Sequence, residues 1–68
     1  MARRRQPPRV KLSAVKHEAY NAIECLAIAD HYDGMENLEL QSAAINDALL
    51  AAKELVELLV KFREQLNE

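Results

Sequence analysis

The chain has 68 residues, half of them apolar, with one glycine, one cysteine and no tryptophan. A core of this size leaves at best a few kcal/mol of stability, so a staple or a partner chain is needed. A single cysteine excludes an intrachain disulfide and no His/Cys set has the spacing of a structural zinc site, which leaves oligomerisation as the source of stability, and the alanine and leucine content predicts an all-α fold.

Charge is distributed unevenly along the chain. Residues 1–17 carry six cations and no acid, whereas residues 18–68 carry all eleven acids and three cations. The six cations are Arg3, Arg4, Arg5, Arg9, Lys11 and Lys16. The first residues are polar and contain Pro7 and Pro8, which favour an extended, solvated backbone. Residues 1–11 are therefore predicted to be a disordered basic arm, followed by a helical domain over 12–68.

The first helix is predicted over about residues 12–32, because apolar residues recur every three or four positions. These residues are Leu12, Val15, Ala19, Ala22, Ile23, Leu26 and Ala29. Ser13 is a candidate N-cap. A tight turn is predicted at 33–35, because Gly34 can adopt the left-handed conformation that closes a helix, and Asp33 with Glu36 fits a capping box.

The second helix is predicted over about residues 36–66, which contain neither proline nor further glycine. Its a/d-type positions are predicted to be Leu38, Gln41, Ile45, Ala48, Ala52, Leu55, Leu59, Phe62 and Leu66, with Ser42, Leu49 and Val56 widening the stripe. One partner helix cannot cover an apolar surface this wide. The two helices are therefore predicted to form an antiparallel hairpin that dimerises into a four-helix bundle, with Leu55, Leu59 and Phe62 in the dimer core.

Catalytic chemistry is not indicated by any motif. His17, Glu24 and His31 are spaced seven apart, which places them about 10 Å from one another along a helix, too far to share a metal ion. Cys25 lies in mid-helix among apolar residues, where a small buried hydrophobe is expected. The protein is therefore predicted to be no enzyme, with no catalytic, cofactor-binding or metal-binding residues and no cofactor.

Two features remain as functional candidates. The first is a set of apolar residues that contact between two helices could not bury: Tyr20, Ile28, Tyr32, Leu40, Leu50 and Val60. Such groups on a small scaffold are typical of a protein-binding surface, and they predict a regulator, inhibitor or adaptor that acts on another protein. The second is the basic arm, which predicts as the alternative a nucleic-acid-binding regulator that neutralises phosphates.

Location is indicated only weakly by the sequence. The basic start is not followed by the apolar segment of a secretory signal, and the longest apolar stretch carries charges and is too short to span a bilayer. A single unpaired cysteine is compatible with a reducing compartment. A cytoplasmic protein that does not bind membranes is therefore expected.

Overall fold

The computed structural model describes residues 9–67, which form two α-helices packed against each other. α1 spans Leu12–Gly34 and α2 spans Leu38–Leu66. No strand occurs in this part of the chain, which confirms the all-α prediction and the two-helix hairpin. At 1.5 Å per residue, α1 is about 34 Å long and α2 about 43 Å.

The connection between the helices differs from the expected one. The left-handed residue is Glu36, with φ of 56°, and Gly34 is instead the last residue of α1. The Glu36 amide donates to the Asp33 carbonyl and the Asn37 amide donates to the Tyr32 carbonyl, both at 3.0 Å. These two bonds form a Schellman motif in which Glu36 occupies the position that most often holds glycine.

The N-caps also differ from those predicted. Asn37 caps α2, its side-chain oxygen accepting from the Leu40 amide at 3.1 Å, so Asp33 does not serve as the cap. Lys11, in extended conformation, occupies the N-cap of α1 without a side-chain hydrogen bond. Ser13 lies inside the helix. The turn therefore falls about two residues later than expected, because an Asn side chain satisfies the first amides of α2 as well as an Asp does.

Replacement of Gly34 by alanine, or of Glu36 by glycine, should stabilise the protein. We expect Gly34→Ala to raise the melting temperature, since Gly34 is helical and a Cβ there meets no atom within 4 Å. Glu36→Gly should raise it as well, because glycine adopts a positive φ without steric cost. Each change is worth about 0.5–1 kcal/mol, or a few degrees in thermal melts followed by circular dichroism. A lower melting temperature for Gly34→Ala would contradict the assignment of Glu36 as the left-handed residue.

The stripe of α2 that packs against α1, which we call the seam, shares every second position with the predicted stripe and differs from it by one residue at the others. The buried and half-buried residues of α2 recur at alternating spacings of three and four: Gln41, Ala44, Ala48, Ala51, Leu55, Leu58, Phe62 and Gln65. Four of the nine predicted positions, Gln41, Ala48, Leu55 and Phe62, therefore lie in the seam. The other predicted positions, Leu38, Ile45, Ala52, Leu59 and Leu66, are exposed in the single chain and do not pack against α1. Alanines at 44, 48 and 51 let the backbones approach closely, which explains why this stripe faces α1 although it contains smaller side chains.

The matching stripe on α1 consists of Val15, Glu18, Ala19, Ala22, Cys25, Ala29 and Tyr32. Among the described residues of both helices, the buried apolar side chains are all small: Val15, Ala29, Ala44, Ala48 and Ala51. Leu12, Ile23 and Leu26, which belong to the apolar stripe that predicted the first helix, are more than half exposed. A hairpin core this thin buries little apolar area, so the isolated hairpin has little hydrophobic stabilisation.

Candidate interaction surface

A line of apolar side chains lies beside the seam on each helix. On α2 it consists of Leu38 at the start of the helix and of the apolar residues that directly follow a seam residue: Ile45, Leu49, Ala52, Val56, Leu59 and Leu66. Ser42 and Arg63 have the same offset. On α1 the same offset gives Ile23 and Leu26 together with the charged residues Lys16, Asp30 and Asp33, and Leu12 lies on the same side at the start of the helix. All of these residues are exposed, Leu38 by 76% and Leu59 by 48%.

Both lines lie on the same side of the hairpin. Successive residues turn in the same sense round every right-handed helix, by about 100° each. Since α1 and α2 run in opposite directions, that offset turns clockwise on one helix and anticlockwise on the other when both are viewed from one end. Because the two seams face each other, these opposite turns bring both lines to the same side of the hairpin. They form one surface, which we call the apolar face.

Two shallow depressions occur on the α2 part of the apolar face. One is lined by Leu49, Ala52, Lys53, Val56 and Glu57. The other is lined by Val56, Leu59, Val60 and Arg63, so the two depressions share Val56. Depressions between side chains three and four residues apart are the grooves into which side chains of another helix pack. The apolar face thus has the relief that helix packing requires.

The opposite flank of α2 is charged. Asp47, Glu54 and Lys61 lie there at heptad spacing, with Glu64 next to them, and all four are exposed. Leucines occur in this flank only at 40 and 50, and Ile28 lies on the corresponding side of α1. The hairpin therefore has one predominantly apolar side and one predominantly acidic side.

The predicted partner-binding residues do not form one patch. Ile28, Leu40 and Leu50 lie on the acidic side, and Tyr20 and Val60 lie at the outer edges of the apolar face. Tyr32 is half-buried near the turn, where its ring meets the His31 ring edge-on at a centroid distance of 5.4 Å. All of them except Tyr32 are exposed, and their role in binding stays a prediction.

The predicted dimer-core residues are divided between two surfaces. Leu55 and Phe62 are half-buried in the seam with α1, whereas Leu59 lies on the apolar face. Of the three, Leu59 is therefore the residue best placed to contact a second chain.

The segment before α1 is bound to the end of α2. The Gln65 side chain accepts a hydrogen bond from the Val10 amide and donates one to the Val10 carbonyl at 3.0 Å. The Arg9 guanidinium donates to the Gln65 carbonyl at 3.4 Å, where the negative end of the helix dipole favours a cation. The sequence did not predict this contact, because a glutamine near a helix end carries no signal for it.

The contact between Val10 and Gln65 should contribute measurably to stability. We expect Gln65→Ala to lower the free energy of unfolding by about 1–2 kcal/mol, because it removes both hydrogen bonds to Val10. Deletion of residues 1–8 should have little effect, since Val10 and Arg9 remain. Urea titrations of the two variants compare them directly. Equal stability of Gln65→Ala and the full chain would refute the contribution of this contact.

The predicted nucleic-acid contacts lie partly outside the described residues. Arg3, Arg4 and Arg5 lie outside the described residues, and so does most of the predicted arm. Arg9, Lys11 and Lys16 are exposed at the end of the hairpin that also holds the C-terminus of α2. The structure thus brings three of the six predicted cations to one end.

Candidate metal ligands are dispersed over the part of the chain that the structure describes. Within residues 9–67, no three His, Cys, Asp or Glu side chains come together as metal ligands would. Cys25 is a free, half-buried thiol in the seam. Over the same residues, no helix has the length and apolar character needed to cross a bilayer.

Comparison with known proteins gives no relative from which a function could be inferred. No family model matches the chain, and no match was found among curated proteins or among solved structures.

Proposed function

We propose that this protein is a non-catalytic interaction module that works as a homodimeric four-helix bundle and modulates another protein that it binds. The observation that carries the proposal is the apolar face, a surface of both helices that the intrachain seam leaves uncovered. A second hairpin on this face supplies the burial that the thin seam lacks. Four helices then enclose a core, as in bundles of the up-and-down type.

The partner protein is proposed to bind the acidic side, which remains open in such a dimer. Ile28, Leu40 and Leu50 provide isolated apolar contacts there, within a surface that carries Asp47 and Glu54. A complementary partner has an apolar pocket with a basic rim. Desolvated apolar anchors supply most of the affinity at such a contact, and the surrounding charges mainly determine orientation and association rate.

Nucleic-acid binding is the second candidate, favoured by the exposed position of Arg9, Lys11 and Lys16 at one end of the hairpin. Three cations on each chain neutralise phosphates without reading bases. The acidic side opposes this binding by repulsion, so it would be restricted to the ends of the molecule.

Capture experiments with and without nuclease distinguish the two candidates. The tagged full chain should retain a defined set of host proteins after nuclease treatment, and Leu50→Glu should lose that set while remaining dimeric. Simultaneous replacement of Arg3, Arg4 and Arg5 by alanine should leave capture unchanged. The nucleic-acid candidate predicts the reverse: capture that depends on nucleic acid, weakens steeply with salt, and is lost with the three arginines.

A further inference from the structure

Two contacts at opposite ends of the hairpin show which residues of α1 and α2 lie at the same level. Val10 is hydrogen-bonded to Gln65, and the Gln41 amide group donates to the Asp33 carboxylate at 3.2 Å. The residue numbers of these pairs add up to 75 and 74. Ile23 therefore lies level with Ala52, and both are near the middle of their helices.

The α2 line of the apolar face is symmetric about this level. On α2 its central line reads Leu38, Ile45, Ala52, Leu59 and Leu66, with two large residues on each side of a small one. On α1 the exposed residues at heptad spacing are Lys16, Ile23 and Asp30, a cation and an acid on either side of an apolar residue. When a second copy of α2 is placed antiparallel on this line, large residues meet large residues and Ala52 meets Ala52. When a second copy of α1 is placed antiparallel on the first, Lys16 faces Asp30.

We infer from this symmetry that two copies pack by their apolar faces with their turns at opposite ends, with the two-fold axis at the level of Ile23 and Ala52. α1 then contacts α1 of the partner subunit, and α2 contacts its α2. A two-fold interface requires a surface that is complementary to itself, as this one is. The inference rests on the proposed dimer and adds its orientation.

Charge favours this orientation over the one with both turns at the same end. With turns at opposite ends, Lys16 lies beside Asp30 of the partner subunit, and the pair occurs twice. With turns at the same end, α1 lies on the partner's α2, and Lys16 falls within about one helical turn of the partner's Arg63. Like charges at an interface disfavour a wrong arrangement, so this alternative is selected against.

In this dimer the basic segment of one subunit lies next to the acidic turn of the other. Each end of the bundle combines the basic segment of one subunit, with Arg9, Lys11 and Lys16, and the turn of the other, with Asp33 and Glu36. The uneven charge of the sequence is thereby balanced between subunits at both ends. Attraction of this kind is weakened by salt, so dimerisation should be tighter at low ionic strength.

Pulsed electron paramagnetic resonance tests the orientation. A spin label on Met35→Cys, in a Cys25→Ala background, reports the distance between the two turns. We expect about 40 Å, the length of α2, whereas turns at the same end would give about 20 Å. A label on Glu24→Cys, near the middle of α1, should give less than about 30 Å in either arrangement and serves as the control for dimerisation.

Each result has a distinct meaning. A long distance at Met35→Cys with a short one at Glu24→Cys supports the inference. Short distances at both positions overturn the orientation and leave the dimer standing. Absence of dipolar coupling at both positions means that the chain is a monomer, which refutes the proposed dimer itself.

Disulfide trapping provides a second test. In the same Cys25→Ala background, Ala52→Cys lies at the two-fold axis, where the two cysteines are close enough to be linked on mild oxidation. The matched control is Ala43→Cys, an exposed position of the same helix on the side away from the apolar face. Faster linkage of Ala52→Cys supports the inference, and equal or absent linkage overturns it.

Discussion

Replacement of Leu59 by glutamate is expected to dissociate the dimer or unfold the protein. Leu59 is 48% exposed in the hairpin, so about half of its burial is available to a second chain. Complete burial of a leucine is worth roughly 1.5–3 kcal/mol, so the two half-buried copies together contribute about 1.5–3 kcal/mol per dimer. The introduced carboxylates add the cost of a buried charge. Affinity should therefore fall by at least about a hundredfold.

The matched control is Leu50→Glu, the same change at a leucine on the acidic side that is 63% exposed. Size-exclusion chromatography with light scattering should give a dimer for the full chain and for Leu50→Glu, but a monomer or aggregate for Leu59→Glu. A well-folded monomeric full chain at micromolar concentration would refute the dimer. Equal loss of mass in both variants would show that the apolar face is not the interface.

Placing a larger side chain in the seam is the second change with a large expected effect. Ala48 is 7% exposed and lies between α1 and α2, where its small side chain permits close approach. Ala48→Leu should destabilise the hairpin by about 1–3 kcal/mol, because overpacking forces side chains off their rotamers or the backbones apart. In a domain of this size, that loss corresponds to several degrees in melting temperature.

Ala43→Leu is the control for this change, since Ala43 is exposed on the same helix and leucine is nearly as good a helix former as alanine. Chemical denaturation of both variants should show a loss for Ala48→Leu alone. A stabilised Ala48→Leu would indicate that position 48 faces a cavity or solvent, and would contradict the seam described above.

The number and approximate extent of the helices could be predicted from local signals. Apolar residues at spacings of three and four, the lack of proline after residue 8 and the single glycine indicate two helices joined by a short connection. The exact turn could not be predicted, because Gly34 and Glu36 are both compatible with a helix end. Their roles depend on the cap that Asn37 forms with α2.

The stripe of α2 that faces α1 was predicted only in part. α2 carries two adjacent stripes, one rich in alanine and one rich in leucine and isoleucine. Both recur every seven residues, so periodicity alone does not indicate which of them packs against α1. Apolar content favours the stripe with Leu59 as the seam. Close approach of the two backbones instead favours the alanines at 44, 48 and 51.

The sequence by itself determined the helical class, the hairpin, the uneven charge and the excess of apolar residues over what one hairpin can bury. These properties follow from composition and from periodicity along single helices. Tertiary structure alone decided that Ala44 and Ala51 pack inside while Leu59 is exposed, that Gln65 binds Val10, and that the exposed lines of α1 and α2 lie on one side. The physical reason is that packing distance and the relative direction of two helices are properties of the pair, and no residue pattern within one helix encodes them.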